Sequence, residues 1–324
     1  MRTREVTLFH GWHGKKEVPM SKPALTYQQQ LDQLKSRGLA VPDEAFARHI
    51  LEHHNYYRLS AYRFSFTVPG NSDQFLPGTS FTQIWDLCCF DRSLRQLVLE
   101  ACKRVEISAR SRWAYELSHL LGPVAYTENR NFSDPLIHAR TLTKLDSEMS
   151  RSKEDFIKHY RITLGMPWPA AWVIAEVASF GNTSNLIGQI KDPSVRQAIA
   201  DSYHLDEKTF CSLLHHLCVI RNTAAHHSRL WNRKFTVTFQ LPKKKPAHLH
   251  PNFHNPPGSG NFRKIHNSLI LLVHLLECIE PATHWPSRLV SLLQSLEPRL
   301  LLEMGFPADW KTRPLWHALL ATTP

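Results

Sequence analysis

The 324-residue chain has no apolar run long enough to cross a bilayer. Its longest, residues 268–278 within HNSLILLVHLLECIE, is interrupted by His274 and falls well short of the ~20 residues a spanning helix needs, so no membrane partner is expected. The opening MRTREVTLFHGWHGKKEVPM lacks both a continuous apolar segment and a small-residue cleavage site, which predicts a cytoplasmic protein with no secretory leader. Cysteine is sparse. Cys88, Cys89, Cys102, Cys211, Cys218 and Cys278 contain no C-x-x-C pair and lie within apolar helical patterns, as reduced core thiols do. The histidine pairs His53/His54 and His215/His216 lack acidic or thiol partners at ligand spacing, so neither a metal nor a cofactor is expected. There is no internal repeat.

What the chain does have is apolar material for a core and an excess of positive charge. Hydrophobic residues make up 42% of a chain this long, enough to bury one large core or two moderate ones. Lys and Arg total 39 against 28 Asp and Glu, a formal charge of +11, with pI ≈ 9.5, before any contribution from 20 histidines. Such an excess favours a polyanion as partner, though net charge by itself speaks to non-specific association and not to fold.

The periodicity predicts an all-α fold. Residues 27–37, stopped by Gly38, and 43–55 carry apolar residues at three- and four-residue spacing. YYRLSAYRFSF follows, then a turn-rich loop at 68–78. Ser80 with Gln83 predicts a capping box, and residues 81–121 run without Gly or Pro as one very long helix or two in tandem. Further helices are predicted at 136–158, 168–180, 193–203, 206 to about 229, 262–278, 288–296 and 309–320. Between 235 and 260 the helical period is lost: KFTVTFQLP alternates as a short strand, and KKKPAHLHPNFHNPPGSG is basic, Pro-rich and expected to be mobile. The expected organisation is a flexible basic arm (1–20), a helical region (21–233), the basic loop (234–260) and a C-terminal helical region (261–324).

The stretch IRNTAAHHSRLWNR (220–233) closes the helix whose buried stripe is Phe210, Leu213, Leu214, Leu217 and Ala224. Asn222 and His226 share a face, and a continuing helix would add Arg229 and Arg233 to it. Arg221, five residues before His226, is turned about 140° away, so the two converge only if the helix is irregular or if they come from different protomers. Imidazole, guanidinium and carboxamide together are what RNA cleavage without a metal requires. A polar helix end capped by histidines explains the same residues without chemistry. Other candidate RNA contacts are His227, Arg229 and Arg233; Arg58 and Arg63 among the rings of NYYRLSAYRF; Arg104 and Arg110 on the long helix; and Lys243, Lys244 and Lys245 on the loop. Packing is the alternative for the rings, and a solvated face for the long helix. Glu176 is expected to be a buried structural carboxylate.

The hexapeptide RNTAAH (221–226) resembles the RNxxxH signature of HEPN-domain ribonucleases. The wider chain resembles the AbiD/AbiF-like branch of abortive-infection, phage-defence proteins, through KPALTYQQQLDQLKSRGL (22–39), NYYRLSAYRFSF (55–66), FTQIWDLCCFDRSLRQLVLEACKRVEIS (81–108), WVIAEVASFGNTSNL (172–186) and RNTAAHHSRLWNR (221–233). These blocks span about two thirds of the chain. The resemblance implies a HEPN-like helical bundle, metal-independent endoribonuclease activity with Arg221, Asn222 and His226 as catalytic residues, and a homodimer that pairs two motifs into one site. It further implies a toxin restrained by a small structured noncoding RNA. The alternative is a helical RNA-binding scaffold in which the same motif grips phosphate without catalysis.

Overall fold

The structure, a computed structural model, describes residues 23–243 and 245–322. The basic arm expected at 1–20 and the candidate contact Lys244 lie outside the described residues. Among the described residues the fold is all-α apart from one small hairpin, and the chain divides into two compact units, Met1–Ile84 and Trp85–Pro324. Among the described residues no helix is long and apolar enough to cross a membrane.

In the first unit α1 (Tyr27–Ser36) opens with a capping box: the Thr26 hydroxyl accepts from Gln29 N–H while the Gln29 side chain accepts from Thr26 N–H. Its Leu31 and Leu34 face α2 (Glu44–His53), capped by Asp43, which buries Ala47, Ile50 and Leu51. Next is α3 (Tyr56–Arg63), with Asn55 as its cap. The loop expected at 68–78 forms an antiparallel hairpin instead, β1 (Thr67–Val68) with β2 (Asn71–Phe75). Of β2 only Phe75 is buried, so the strand has no apolar alternation by which its sequence could announce it.

The Ser80–Gln83 capping box is present, with Ser80 N–H donating to Gln83 Oε1 at 2.9 Å, and it starts α4 (Phe81–Leu120), one unbroken helix of 40 residues. In the second unit α4 buries a stripe through Leu94, Val98, Ala101, Val105, Trp113 and Leu117. The helix predicted over 136–158 ends earlier, as α5 (Pro135–Arg151); Ser152 is extended, and a short α6 (Asp155–Lys158) runs on into a π-turn at His159–Thr163. The helix predicted over 168–180 is α7 (Ala171–Val177), and a separate α8 (Phe180–Gln189) follows it. The break has a cause: Ser179 caps α8, and the Glu148 carboxylate accepts from Ser179 N–H at 3.1 Å and from the Asn182 amide at 2.9 Å.

Beyond α9 (Pro193–Asp201), α10 (Glu207–Ala225) packs on α8 and α9. The C-terminal helices are α11 (His266–Ile279), α12 (Trp285–Gln294), α13 (Pro298–Glu303) and α14 (Pro314–Thr322); α11 is buried on every face from Leu269 to Leu276. Residues 235–243 form no strand. Their backbone is taken up elsewhere: Val237 C=O accepts from His216, Gln240 N–H donates to the Ser212 hydroxyl, and Phe235 N–H donates to Arg263 C=O. The Pro-rich loop expected to be mobile is tied down. It makes a 3₁₀ turn at Ala247–Asn252, buries Asn252, and offers the carbonyls of Asn252 and Phe253 to Arg313 at 3.3 and 2.9 Å. All six cysteines are free, and burial pushes the thiols of Cys211 and Cys218 up to about 12.

Candidate functional site

The helix carrying RNTAAH does not continue to Arg229. Asp206 caps its start, and after Ala225 the chain turns with His226 at φ −84° and His227 at φ 57°. His227 N–H then donates to Ala224 C=O and Ser228 N–H to Thr223 C=O, both at 3.0 Å, which is a Schellman closure with histidine where glycine usually stands. Arg229 and Arg233 therefore leave the face on which a straight helix would have set them. Buried Asp91 of α4 holds the emerging strand of chain: it accepts from Leu230 N–H at 3.0 Å and Trp231 N–H at 2.7 Å, and pairs with Arg95. The Trp231 indole donates to Leu300 C=O at 3.2 Å, and the Asn232 amide donates to Glu303 at 2.6 Å.

Within the motif the residues divide by face. Asn222 and His226 are exposed one above the other. Arg221 turns toward α4 and α8, with Nη2 3.5 Å from Glu106 Oε2, its guanidinium 5.9 Å from the Phe180 ring centre, and a buried Nε–H without a hydrogen-bond partner among the described residues. Glu106 also pairs with Arg110, so one carboxylate serves two cations. A single chain thus presents an amide and an imidazole to solvent on one side of α10 and keeps its fixed cation on another. An exposed imidazole is of the type that transfers protons and a guanidinium of the type that stabilises anions, and here the two lie on different sides of the helix.

The remaining basic candidates fall into three groups. On α4, Arg104 donates to Glu100, Glu280 and Thr283, Arg110 to Glu106, and neighbouring Arg112 to Glu116, so each cation already has a carboxylate partner. These half-buried pairs occupy the donors a phosphate would use. In the first unit Arg58 is exposed, whereas Arg63 is largely covered and lies 3.9 Å from Asp73; Tyr62 is buried, and Tyr57 and Phe64 face solvent. In the second unit Lys243 and Lys245 are exposed and border a groove of about 940 Å³ with Lys208, His204 and Thr209. His227 is exposed, Arg229 lies 5.6 Å over the Trp231 ring, and the Arg233 guanidinium reaches Arg229 C=O at 3.5 Å. Glu176, expected to be buried, is exposed on α7, since its neighbours Ala171, Ile174 and Ala175 take the inward face.

His216 is a core residue. Its Nδ1–H donates to Val237 C=O at 2.7 Å and its Nε2 accepts from the Ser268 hydroxyl at 2.8 Å, an arrangement only the neutral ring satisfies, and burial lowers its pKa to about 4. Sequence reasoning missed Asp91, and gave Glu106 only a place as an ion-pair partner on a solvated face of the long helix. Both stand four residues before an arginine (Asp91/Arg95, Glu106/Arg110), and Asp91 interrupts the apolar stripe of Leu87, Leu94 and Val98; a carboxylate inside a buried stripe is the signal that would have found it.

The family model described as Abi-like protein matches residues 49–232, more than half of the chain and inclusive of the whole RNTAAH segment. No curated protein and no solved structure matches. The chain, with its all-α architecture and this match running from α2 to the turn that follows α10, belongs to the Abi-like protein family, and that membership supports a role in abortive infection as a defence against phage.

Proposed function

We propose that the protein is a metal-independent, HEPN-type endoribonuclease, active as a homodimer in the cytoplasm, that executes abortive infection. The observation carrying this reading is the opposed facing of Arg221 and His226 at the end of α10, which suits a site shared between two protomers. In that site the imidazole of His226 removes the ribose 2′-OH proton. The 2′-oxygen attacks phosphorus, the bond to the 5′-oxygen breaks, and an imidazolium returns a proton to the leaving oxygen, giving a 2′,3′-cyclic phosphate and a 5′-hydroxyl. Arg221 of the other protomer stabilises the charge on the non-bridging oxygens, and Asn222 orients the phosphate or the ring. RNA is substrate and also restraint: a small structured noncoding RNA holds the toxin inactive until infection.

The test is cleavage of mixed RNA in EDTA, followed by complementation. Cyclic-phosphate ends should form without divalent metal, and His226→Ala should bind RNA but leave it intact. Mixing Arg221→Ala chains with His226→Ala chains under subunit exchange should restore partial activity, because half of the cross-chain pairs in a heterodimer are then whole. Activity that requires magnesium, or full activity in a strict monomer at micromolar concentration, would overturn the proposal. Intact RNA with undiminished binding in the wild type would leave the protein a helical RNA-binding scaffold.

A further inference from the structure

The first unit carries a cluster that the RNA chemistry does not use. Helix α2 buries Ala47, Ile50 and Leu51, which leaves His49, Glu52 and His53 exposed together on its solvent side. His49 and His53 are one helical turn apart, with ring centres 4.7 Å from each other. One ligand atom from each of the three residues lies within 4.8 Å of the other two, and among the described residues this is the only group of three or more such side chains so placed. None of the three side chains is engaged in a hydrogen bond or ion pair within the described residues.

We infer that His49, Glu52 and His53 form a binding site for a divalent transition ion, Zn²⁺ by the chemistry of the donor set. Tetrahedral donors about 2.1 Å from zinc stand about 3.4 Å apart. Closing the observed spacing to that value takes side-chain rotation of little more than an ångström, and exposed side chains make it without disturbing the core. Two imidazole nitrogens and one carboxylate oxygen are zinc ligands, and they leave one position for water. The sequence His49-Ile-Leu-Glu52-His53 is also the H-x-x-E-H spacing by which a helix presents two histidines to zinc in inverted zincins. Such peptidases need a further protein ligand and a substrate cleft. No fourth residue joins the group among the described residues, and ion binding is all that these three side chains argue for. The pair His53/His54, which drew attention in the sequence, is the wrong pair: His54 is the extended residue that ends α2, whereas His49 and His53 stand one turn apart on the helix.

The test is a titration of the full-length, EDTA-stripped protein with Zn²⁺ by calorimetry, with Co²⁺ as a spectroscopic probe. The wild type should bind one ion at this site, show visible Co²⁺ bands, and melt at a higher temperature with Zn²⁺ than without it. His49→Ala and His53→Ala should each weaken binding by at least the ~10-fold that loss of a supporting partner alone can cause, with an unchanged helical circular dichroism spectrum. Glu52→Gln should weaken it less. Because ligation needs the deprotonated rings, affinity should fall as pH is lowered. Equal affinity and stoichiometry in the wild type and the His49→Ala/His53→Ala double variant would overturn the inference. So would binding that survives in that variant but disappears in His248→Ala/His250→Ala, which would move the ion to the Pro-rich loop. RNA cleavage is read separately in EDTA, so neither result decides the other.

Discussion

A histidine in this chain takes its character from burial. His216 is enclosed with its neutral tautomer satisfied at both nitrogens, and its pKa falls to about 4. His266 is enclosed among Phe306 and Trp316, with Nε2 lacking a partner among the described residues, and desolvation lowers it to about 3. In the unfolded chain both return toward the ordinary histidine value near 6.5. Above that pH both rings are neutral in either state and contribute nothing to pH dependence. Below it the unfolded state takes up protons the folded state refuses, so stability falls as pH drops from about 6.5 toward 4, by up to about 1.4 kcal/mol per unit for each ring. Unfolding free energies from urea titrations at pH 7.5 and pH 5 should differ by roughly 2–4 kcal/mol, the lower at pH 5. A flat profile would mean that both rings stay solvated, and a decline of only about 2 kcal/mol that one of them does. His226, by contrast, is exposed.

At the scale of elements, the end of α10 governs where the motif's side chains point. His227 adopts φ 57°, a conformation that strains every residue with a Cβ and suits glycine. His227→Gly should therefore stabilise the protein, by on the order of 0.5 kcal/mol after the extra entropy of glycine in the unfolded chain is subtracted, whereas His227→Ala should not. Thermal or chemical denaturation separates the two. If His227 also grips RNA, both variants should bind it less tightly, and the stabilised one would show a strained residue retained for function. The same turn explains why periodicity overran the helix by several residues: IRNTAAHHSR contains no Gly, Pro or Asn at the closure, and Asp91, which secures the backbone beyond it, is 139 residues away from Leu230. Helix α4 was the easier case, since capping box, uninterrupted pattern and i,i+4 ion pairs all agree locally.

For the whole molecule, the charge of +11 is the property most open to measurement. Arg104, Arg110 and Arg112 of α4 are matched by glutamates, which leaves the exposed lysines beside the groove, Lys243 and Lys245, among the cations best placed for a diffuse polyanion. RNA affinity should fall steeply between 50 and 200 mM salt, because each neutralised phosphate releases counterions. Replacing Lys243 and Lys245 by Ala should weaken binding alike across sequences and flatten the slope of log affinity against log salt by about 1.4, at 0.7 per contact on a single strand. Affinity indifferent to salt would dissociate the net charge from RNA binding.

Several things were legible in residue order alone. The all-α class, the Ser80–Gln83 capping box, the reduced cysteines and the blocks that mark the Abi-like family are set by spacing within a few turns, and 3.6-residue periodicity reports such spacing directly. The relation of Arg221 to His226 was also readable as an angle, since it depends only on helix pitch. What only the tertiary structure decided was where the chain's polar groups find partners. KFTVTFQLP alternates as a strand should, yet among the described residues no second strand pairs with it, and its backbone bonds to the side chains of Ser212 and His216 on α10. Arg221 meets Glu106, and Leu230 and Trp231 meet Asp91, across more than a hundred residues. Backbone and charged groups must be satisfied by something, but which group satisfies them is a matter of who is near in space, and local pattern carries no record of that.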